Sequence, residues 1–376
     1  MLGIKNAKVI LYDKIIESNL LIEDNKIKSI TDHLPENIEI LDVKGLYVSP
    51  GFIDLHTHGR GGQDTMNATF DALETISKYT LDTGVTSFLA TTMTMPCEDI
   101  KKAVDNVAKY KDKVTGAKIL GVHLEGPFFS KKYKGAQPES AMILPTIDNY
   151  LSFVKDHQDI IRKISLAPEL EHSDELINYL KDKNTVVSVG HTDATYEQAD
   201  HAYKIGATSA THTFNAMTPL THRAPGVVGA TMLNDHVYAE LICDGLHVSY
   251  PAIQTLIKMK GADHITIVTD SLEAAGLPAG KYQLAGVPIF VVDGACHLEN
   301  GTLAGSIAGM NDEIRNFVNH CGVNLVDAVK MASTNAAKSI NEPLLGEIKE
   351  GNIADLVVFD DSINIKHVIL NGKVMK

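Results

Sequence analysis

The chain is poor in cysteine, and its four cysteines form no Cys-X-X-Cys pair: Cys97, Cys243, Cys296 and Cys321. This spacing offers neither a disulfide framework nor a thiolate zinc site, and it suits a reducing compartment. Long apolar runs are also missing, since no stretch approaches the ~18 residues of a membrane span. The N-terminus lacks the basic and then apolar order of a secretory signal. We therefore expect a cytoplasmic protein.

Positive charge is in deficit as well. The formal net charge is −13, from 34 Lys and Arg against 47 Asp and Glu. Such a balance argues against non-specific binding of nucleic acid or of an anionic membrane. It leaves room for a small anionic ligand held by a few local cations. The 44% hydrophobic and 22% charged content of the 376 residues is ordinary for a globular protein.

Short strands separated by polar turns occupy both ends of the chain. Because the termini of a domain often lie close together, these two sets of strands can pair with each other. We expect residues 1–50 and 343–376 to form two parts of one small β-sandwich domain. Residues 51–342 have a different texture and would form a barrel domain that uses a metal.

Eight apolar strands alternate with helices between the two ends, which predicts a (β/α)₈ barrel, although a doubly wound open sheet gives the same alternation. Helices are predicted at residues 70–83, 99–109, 174–183 and 196–204. The strands are expected at residues 51–55, 87–90, 119–122, 163–166, 186–189, 209–211, 238–242 and 265–268.

Ionisable side chains follow several of these strands, at the barrel end where catalytic groups collect. Glu125 closes an apolar strand just before a Gly-Pro break. His56 and His58 come at the end of the first strand, and two residues at i and i+2 in extended backbone point to the same side. His191 and His212 follow two later strands.

Asp270 follows the last strand and completes a set of five strands that end in an imidazole or a carboxylate. Converging ionisable groups cost desolvation unless they are paired or bind a metal. Imidazole and carboxylate ligands without thiolate suit zinc, iron, manganese or cobalt. The number of ligands suggests two ions bridged by Glu125, with a hydroxide generated from bound water and Asp270 moving the proton.

The motifs resemble those of the amidohydrolase superfamily and, within it, of the N-acetylglucosamine-6-phosphate deacetylase family. The opening SPGFIDLHTHG and the terminal β segments are the superfamily's signature. More specific are HLEGPF, GHTDA, THTFNAM, CDGLHV, IVTDS and NGTLAGS, in the order and at the spacing of the deacetylases. The resemblance covers essentially the whole chain.

The resemblance implies a role for each matching residue. Glu125, His191 and His212 resemble the principal metal ligands, and His56 and His58 resemble the pair that supports a second ion in some members. Asp270 resembles the general base and acid. The residues that resemble substrate-contacting positions are Ala136, Gln137, Asn215, Ala216, Arg223, His247 and Leu303. At Gln137 some members have His, so the role of this position is open.

The implied activity is hydrolysis of the N-acetyl group of N-acetylglucosamine 6-phosphate to glucosamine 6-phosphate and acetate. Family members are commonly dimers, so a homodimer is expected, with a sugar phosphate as the small-molecule partner. Three alternatives stay open at this point: the galactosamine epimer as substrate, a cyclic amidohydrolase of the dihydroorotase type, and a non-catalytic homologue. Two roles stay open as well: His123 could be an additional ligand, although a supporting or packing role is favoured, and Glu273 could simply face solvent.

Overall fold

The computed structural model describes residues 1–284 and 286–376. The strands are β1 Leu2–Ile10, β2 Ile15–Glu23, β3 Lys26–Thr31, β4 Glu39–Asp42, β5 Tyr47–Pro50, β6 Phe52–Thr57, β7 Gly59–Arg60, β8 Gln63–Asp64, β9 Val85–Thr92, β10 Lys118–Glu125, β11 Ile161–Leu166, β12 Val186–Val189, β13 Ser209–Ala210, β14 Tyr238–Leu241, β15 Ile265–Ile267, β16 Gly280–Leu284, β17 Val287–Val292, β18 Ala295–Leu298, β19 Leu356–Phe359, β20 Ile365–Leu370 and β21 Lys373–Val374.

The α-helices are α1 Phe70–Leu81, α2 Cys97–Tyr110, α3 Ile147–Val154, α4 Ser173–Lys181, α5 Tyr196–Ile205, α6 Gly226–Leu233, α7 Tyr250–Lys260, α8 Met310–Cys321, α9 Leu325–Ala332 and α10 Thr334–Ser339. The four helices predicted from the sequence are confirmed as α1, α2, α4 and α5. Local capping explains two of their starts: Thr69 caps α1, and Thr195 with Gln198 forms a capping box at α5. In contrast, α6 is apolar on nearly all sides, so it lacks the polar face by which an amphipathic helix is recognised.

Eight parallel strands form the central sheet in the order β15-β14-β13-β12-β11-β10-β9-β6, which confirms the predicted barrel strands. Strand β9 shows why they assemble: every residue of VTSFLATT is buried, as expected for a parallel strand covered on both faces. The helices between the strands cover the outside of this sheet with a large apolar core. The open-sheet alternative is wrong, because the two edge strands approach each other and nearly close the barrel.

The seam between the first and last strands lies at their carboxyl ends. The Asp270 N–H donates to the His56 carbonyl at 2.8 Å, and the His58 N–H donates to the Ser271 carbonyl at 2.9 Å. Below them, the buried Asp54 carboxylate accepts from the Thr269 hydroxyl at 2.6 Å. The barrel is therefore joined where the predicted catalytic side chains emerge.

The two chain ends pair in one further eight-stranded sheet, as predicted, in the order β21-β20-β19-β5-β1-β2-β3 with β4 beside β1. The contact between the two ends is the antiparallel pair of β5 and β19, in which Val48 lies opposite Val358. Both residues belong to a separate apolar core under this sheet. We retain residues 1–50, 51–342 and 343–376 as a proposed division of the chain.

A three-stranded antiparallel sheet, β16 to β18, was not expected from the sequence. It follows the last barrel strand, and β17 turns into β18 through Asp293-Gly294, both with positive φ (50° and 79°). This dipeptide between two apolar runs is a strong hairpin signal. Among the described residues, no helix is both long and apolar enough to cross a membrane.

Removal of the Thr269 hydroxyl tests how much the seam stabilises the fold. Thr269→Val leaves the buried Asp54 carboxylate short of a donor, which should lower the free energy of unfolding by about 1–3 kcal/mol. Urea denaturation followed by far-UV circular dichroism measures the change. Thr266→Val is the matched control, because the buried Thr266 hydroxyl has no partner among the described residues. Equal midpoints for the two variants would contradict this view of the seam.

Candidate metal centre and active site

Five strands deliver the predicted ligands and base to one end of the barrel. His56 lies near the end of β6 and His58 directly after it, and Glu125 is the last residue of β10. His191 follows β12 by two residues, His212 follows β13 by two, and Asp270 follows β15 by three. All six side chains are buried. The structure brings them together as the strand-exit pattern predicts.

Glu125 lies at the centre of this cluster and contacts an imidazole pair on each side. Its Oε1 is 3.3 Å from both His191 Nε2 and His212 Nε2. On the other side, Oε1 is 3.3 Å from His56 Nε2 and Oε2 is 3.2 Å from His58 Nε2. Two groups of possible ligands therefore share one carboxylate, and the atoms in each group lie within 4.8 Å of one another.

The donor atoms fit a divalent cation better than they fit a hydrogen-bonded network. Ligand atoms that lie about 2.0–2.2 Å from a common ion are separated by roughly 3–4 Å, which matches the spacing here. Within the part of the chain that the structure describes, His56 Nε2 makes no hydrogen bond, although Glu125 Oε1 and Asp270 Oδ1 lie 3.3 and 3.2 Å away. Buried polar atoms in this situation normally have a partner, so this cluster is a candidate metal centre.

Neighbouring groups orient the ligands. The His191 Nδ1–H donates to the Tyr133 carbonyl at 2.9 Å, and its ring stacks on Phe129 with centroids 4.4 Å apart. This hydrogen bond places the ring hydrogen on Nδ1 and leaves the lone pair of Nε2 on the side of Glu125. The Gln137 amide donates to Glu125 Oε2 at 2.5 Å, and its own oxygen accepts from the Thr94 N–H at 2.9 Å.

The backbone is strained at three of the six residues in this cluster. His191, His212 and Asp270 have φ of 48°, 28° and 47°, in the left-handed region that residues other than glycine rarely adopt. Such conformations cost of order 1–3 kcal/mol each and cluster at functional sites, where the surrounding structure imposes them. The turns after these strands aim the side chains inward instead of continuing the strand direction.

The carboxylates and imidazoles shift one another's protonation. Burial alone would lower the pKa of His56, but the carboxylates of Asp270 and Glu125 raise it to about 9. Burial likewise favours the neutral form of Glu125, yet the neighbouring imidazoles, His56 foremost, hold its pKa well below the usual range. The pKa of Asp270 is lowered against the effect of burial, chiefly by His56. Both carboxylates are therefore anionic and His56 is protonated, so a divalent cation that bound His56 would displace its proton.

A cavity of about 570 Å³ opens above the cluster, a size suited to a small-molecule substrate. Its lining includes most of the predicted site residues, namely His58, Glu125, Ala136, Gln137, His191, His212, Asn215, Ala216, His247, Asp270 and Leu303. Leu303 follows β18, so the unexpected three-stranded sheet supplies one wall. The NGTLAGS motif predicted that Leu303 lines the site, but the sequence analysis did not predict the sheet of β16 to β18.

Two predicted residues lie outside the cavity lining that the described residues form. His56 lies below the floor and is fully buried, in contact with Glu125 and Asp270. Arg223 is exposed on the loop that precedes α6. His247, which does line the cavity, donates from Nδ1 to the Asp244 carboxylate at 2.6 Å, so its Nε2 remains available to a ligand.

His123 and Glu273 have contacts of their own. Both ring nitrogens of the buried His123 face hydroxyl groups, Thr91 Oγ1 at 3.4 Å and Ser165 Oγ at 2.8 Å. Its ring packs edge-on against His56 with centroids 4.6 Å apart, in agreement with the expected packing role. Glu273 is only half exposed and accepts from the Gln283 N–H at 2.6 Å.

Sequence reasoning missed a buried pair beneath the site. Lys163 of β11 and Glu240 of β14 form an ion pair with both side chains 1% exposed. Glu240 Oε2 also lies 3.7 Å from His56 Nδ1. A signal was present, because each residue is a charge inside a predicted barrel strand, and a buried polar residue is the informative exception in a core.

A (β/α)₈ barrel with an imidazole and carboxylate cluster at its carboxyl end defines the class of metal-dependent hydrolases. The Amidohydrolase family model matches residues 47–375. An N-acetylglucosamine-6-phosphate deacetylase of Lysinibacillus sphaericus is 37% identical over 360 residues, 95% of this chain and 93% of the relative. The chain therefore belongs to the amidohydrolase family and, within it, to the family of N-acetylglucosamine-6-phosphate deacetylases, which confirms the resemblance found in the sequence.

Two further comparisons bear on fold and substrate. The crystal structure of N-acetylglucosamine-6-phosphate deacetylase from Pasteurella multocida has a TM-score of 0.95 and 34% identity, with 99% of each chain covered. This agreement confirms the fold class. An N-acetylgalactosamine-6-phosphate deacetylase of Escherichia coli O157:H7 is 34% identical over 360 residues, 95% of this chain and 94% of the relative.

Metal content tests the shared role of Glu125. Because Glu125 belongs to both groups of ligands, Glu125→Gln should abolish binding of zinc at either group, whereas His58→Asn should weaken only one. The measurement is metal per subunit by mass spectrometry after equilibrium dialysis against zinc. His201→Asn, which removes an exposed imidazole on α5, should retain the wild-type content. Full zinc content in Glu125→Gln would contradict the proposed centre.

Proposed function

We propose that this chain hydrolyses the N-acetyl group of N-acetylglucosamine 6-phosphate, giving glucosamine 6-phosphate and acetate. The observation that carries the proposal is the position of Asp270, whose Oδ1 lies 3.2 and 3.3 Å from His56 and His58 at the floor of the cavity. A carboxylate at this point would reach both the attacking water and the departing amine. The names of the relatives at 34–37% identity support the choice of substrate.

The chain's residues divide the chemistry between them. The metal ligands would be Glu125 with His191 and His212, and Glu125 with His56 and His58 for a second ion. A divalent cation bound there supplies an acidified water and polarises the acetyl carbonyl. Asp270, held anionic by its imidazole neighbours, accepts the proton of the attacking water. It then delivers this proton to the amine nitrogen as the carbon–nitrogen bond breaks.

The substrate would be held along the cavity by the residues that line it above the cluster. Asn215 and Ala216 follow the His212 turn and line the cavity. The Asn215 N–H and one hydrogen of its amide donate to the His212 carbonyl at 3.0 and 3.2 Å. The Ala216 N–H and the other amide hydrogen of Asn215 would donate to the sugar phosphate. His247 offers Nε2, since Asp244 engages its Nδ1. Gln137 is less suited to a substrate contact, because both ends of its amide are already engaged by Thr94 and Glu125.

Arg223 would bind the phosphate, because its guanidinium matches phosphate oxygens in bidentate geometry. It lies exposed and outside the cavity lining that the described residues of its own chain provide. It would therefore serve a phosphate through movement of its loop or across a contact between subunits. The second route agrees with our proposal that the protein is a homodimer. We also propose that it is located in the cytoplasm.

Three alternatives are weaker. The galactosamine epimer is supported by a relative of that name at 34% identity, and kinetics on both sugar phosphates would separate the two. A cyclic amidohydrolase of the dihydroorotase type typically bridges its metals with a modified barrel lysine. Here Lys163 is paired with Glu240, and the residue shared by the two groups of possible ligands is Glu125, which would hold both ions. A non-catalytic homologue would lack ligand or base positions, whereas this site has all six side chains.

Replacement of the base tests the mechanism. Asp270→Asn should lower kcat by about 10²–10⁴-fold, the usual contribution of a positioned proton-transfer group. Metal content should stay at the wild-type level. Acetate release from N-acetylglucosamine 6-phosphate measures the rate, and Glu273→Gln removes a nearby carboxylate outside the cavity lining as the control. If Asp270→Asn keeps near-normal kcat, Asp270 is not the proton carrier.

The loop arginine can be tested with two substrates. Arg223→Gln should lower kcat/KM for the sugar phosphate by about 10–100-fold, since a charged hydrogen bond contributes ~1.5–3 kcal/mol. It should have little effect on unphosphorylated N-acetylglucosamine, which lacks the group that Arg223 binds. His222→Gln, in the same exposed loop, should leave both rates unchanged. Equal losses on the two substrates would argue against a phosphate contact.

A further inference from the structure

Below the candidate metal centre, two buried polar atoms face each other without a hydrogen bond. His56 Nδ1 and Glu240 Oε2 lie 3.7 Å apart, and neither has a hydrogen-bond partner among residues 1–284 and 286–376. The other oxygen of Glu240 is engaged: Oε1 accepts from the Ser209 hydroxyl at 3.1 Å and pairs with the Lys163 ammonium. Glu240 is thus held from one side and leaves one oxygen for His56.

The folding of the barrel does not require this arrangement. Replacing a buried ion pair by apolar residues of similar volume is often neutral or stabilising, because the desolvation of two charges offsets their attraction. The strand neighbours of Glu240, Ala239 and Leu241, are both fully buried and apolar. A carboxylate at this position therefore calls for an explanation other than stability.

The two ligand groups are oriented by acceptors of different kinds. His191 donates its Nδ1–H to a neutral acceptor, the Tyr133 carbonyl. The acceptor next to His56 Nδ1 is a carboxylate, and a carboxylate partner fixes the tautomer of a metal-binding imidazole and raises its basicity. His123 packs edge-on against the same ring with centroids 4.6 Å apart, which limits its rotation.

We propose that Glu240 is a positioning residue for His56: it accepts the Nδ1–H and so presents Nε2 to a metal ion held with His58 and Glu125. Lys163 and Ser209 hold Glu240 in place for this role. The inference rests on the proposed function, since it takes His56 as a ligand. It also makes the two metal positions unequal, because only the ion at His56 and His58 depends on the buried pair.

Metal affinity is the measurement that separates this role from a structural one. Glu240→Leu with Lys163→Met removes both charges together and avoids leaving an unpaired buried ammonium. In competition with a chelator, this double variant should bind zinc about 10–100-fold more weakly at one position and normally at the other, the usual loss when the partner of a ligand is removed. Glu240→Gln with Lys163→Met keeps an acceptor oxygen and should restore part of the affinity.

A matched control is Glu313→Gln, which removes another fully buried carboxylate that accepts from the Cys243 N–H. Its zinc affinity should equal that of the wild type. The proposal is overturned if the double variant binds zinc with unchanged affinity at both positions, or if the wild type never binds a second ion. If the variants show the expected differences in zinc affinity but the wild type does not deacetylate the sugar phosphate, the proposed function is overturned and the role of Glu240 is not.

A measurement on the wild type covers the case in which the double variant does not fold. With ¹⁵N-labelled histidine, the chemical shifts of the zinc-loaded protein report which ring nitrogen carries hydrogen, and His56→Asn assigns the signal. We expect His56 to carry its hydrogen on Nδ1. A zinc-loaded protein whose His56 carries hydrogen on Nε2 would overturn the proposal.

Discussion

The candidate active site depends on the hydrogen bonds that join the first and last strands of the barrel. The Asp270 N–H donates to the His56 carbonyl, and the His58 N–H donates to the Ser271 carbonyl, so backbone pairing sets His56 and His58 beside the aspartate that follows β15. More than two hundred residues separate them in sequence. Since the same bonds close the barrel, the fold cannot close correctly without forming half of the site.

Closure also explains how the protein tolerates a group of charges that would otherwise oppose folding. Two carboxylates and four imidazoles lie buried within a few ångströms, and three of the residues that carry them have left-handed backbone. Groups of this kind cost free energy unless an opposite charge compensates them. A divalent cation compensates both carboxylates at once, and binding to the folded state alone stabilises that state by mass action. The metal centre and the barrel are therefore expected to support each other.

The sequence predicted the parts of this structure that follow from strand geometry. Residues after parallel strands meet at one end of a barrel, so His191, His212 and Asp270 could be placed together from their spacing alone. The β16–β18 sheet was missed, although its Asp293-Gly294 turn was readable. Arg223 could not be placed, because no periodic pattern governs a loop rich in proline and glycine. The Lys163–Glu240 pair was missed because the two residues lie on β11 and β14, which are not neighbours in the sheet. The sequence does not show that these two charges pair with each other.

The position of that pair shows why the contacts below a site are harder to predict than the site itself. A strand exit faces an open cavity, so a polar residue there can be attributed to a ligand. Inside the barrel a polar residue has to find a protein partner, and the partner lies on a strand that sequence order does not identify. Glu240 contacts Lys163 of β11 and Ser209 of β13, and it lies 3.7 Å from His56 of β6. Interior polar groups of this kind connect strands that are not all neighbours in the sheet, so the position of a ligand such as His56 would depend on the barrel wall behind it.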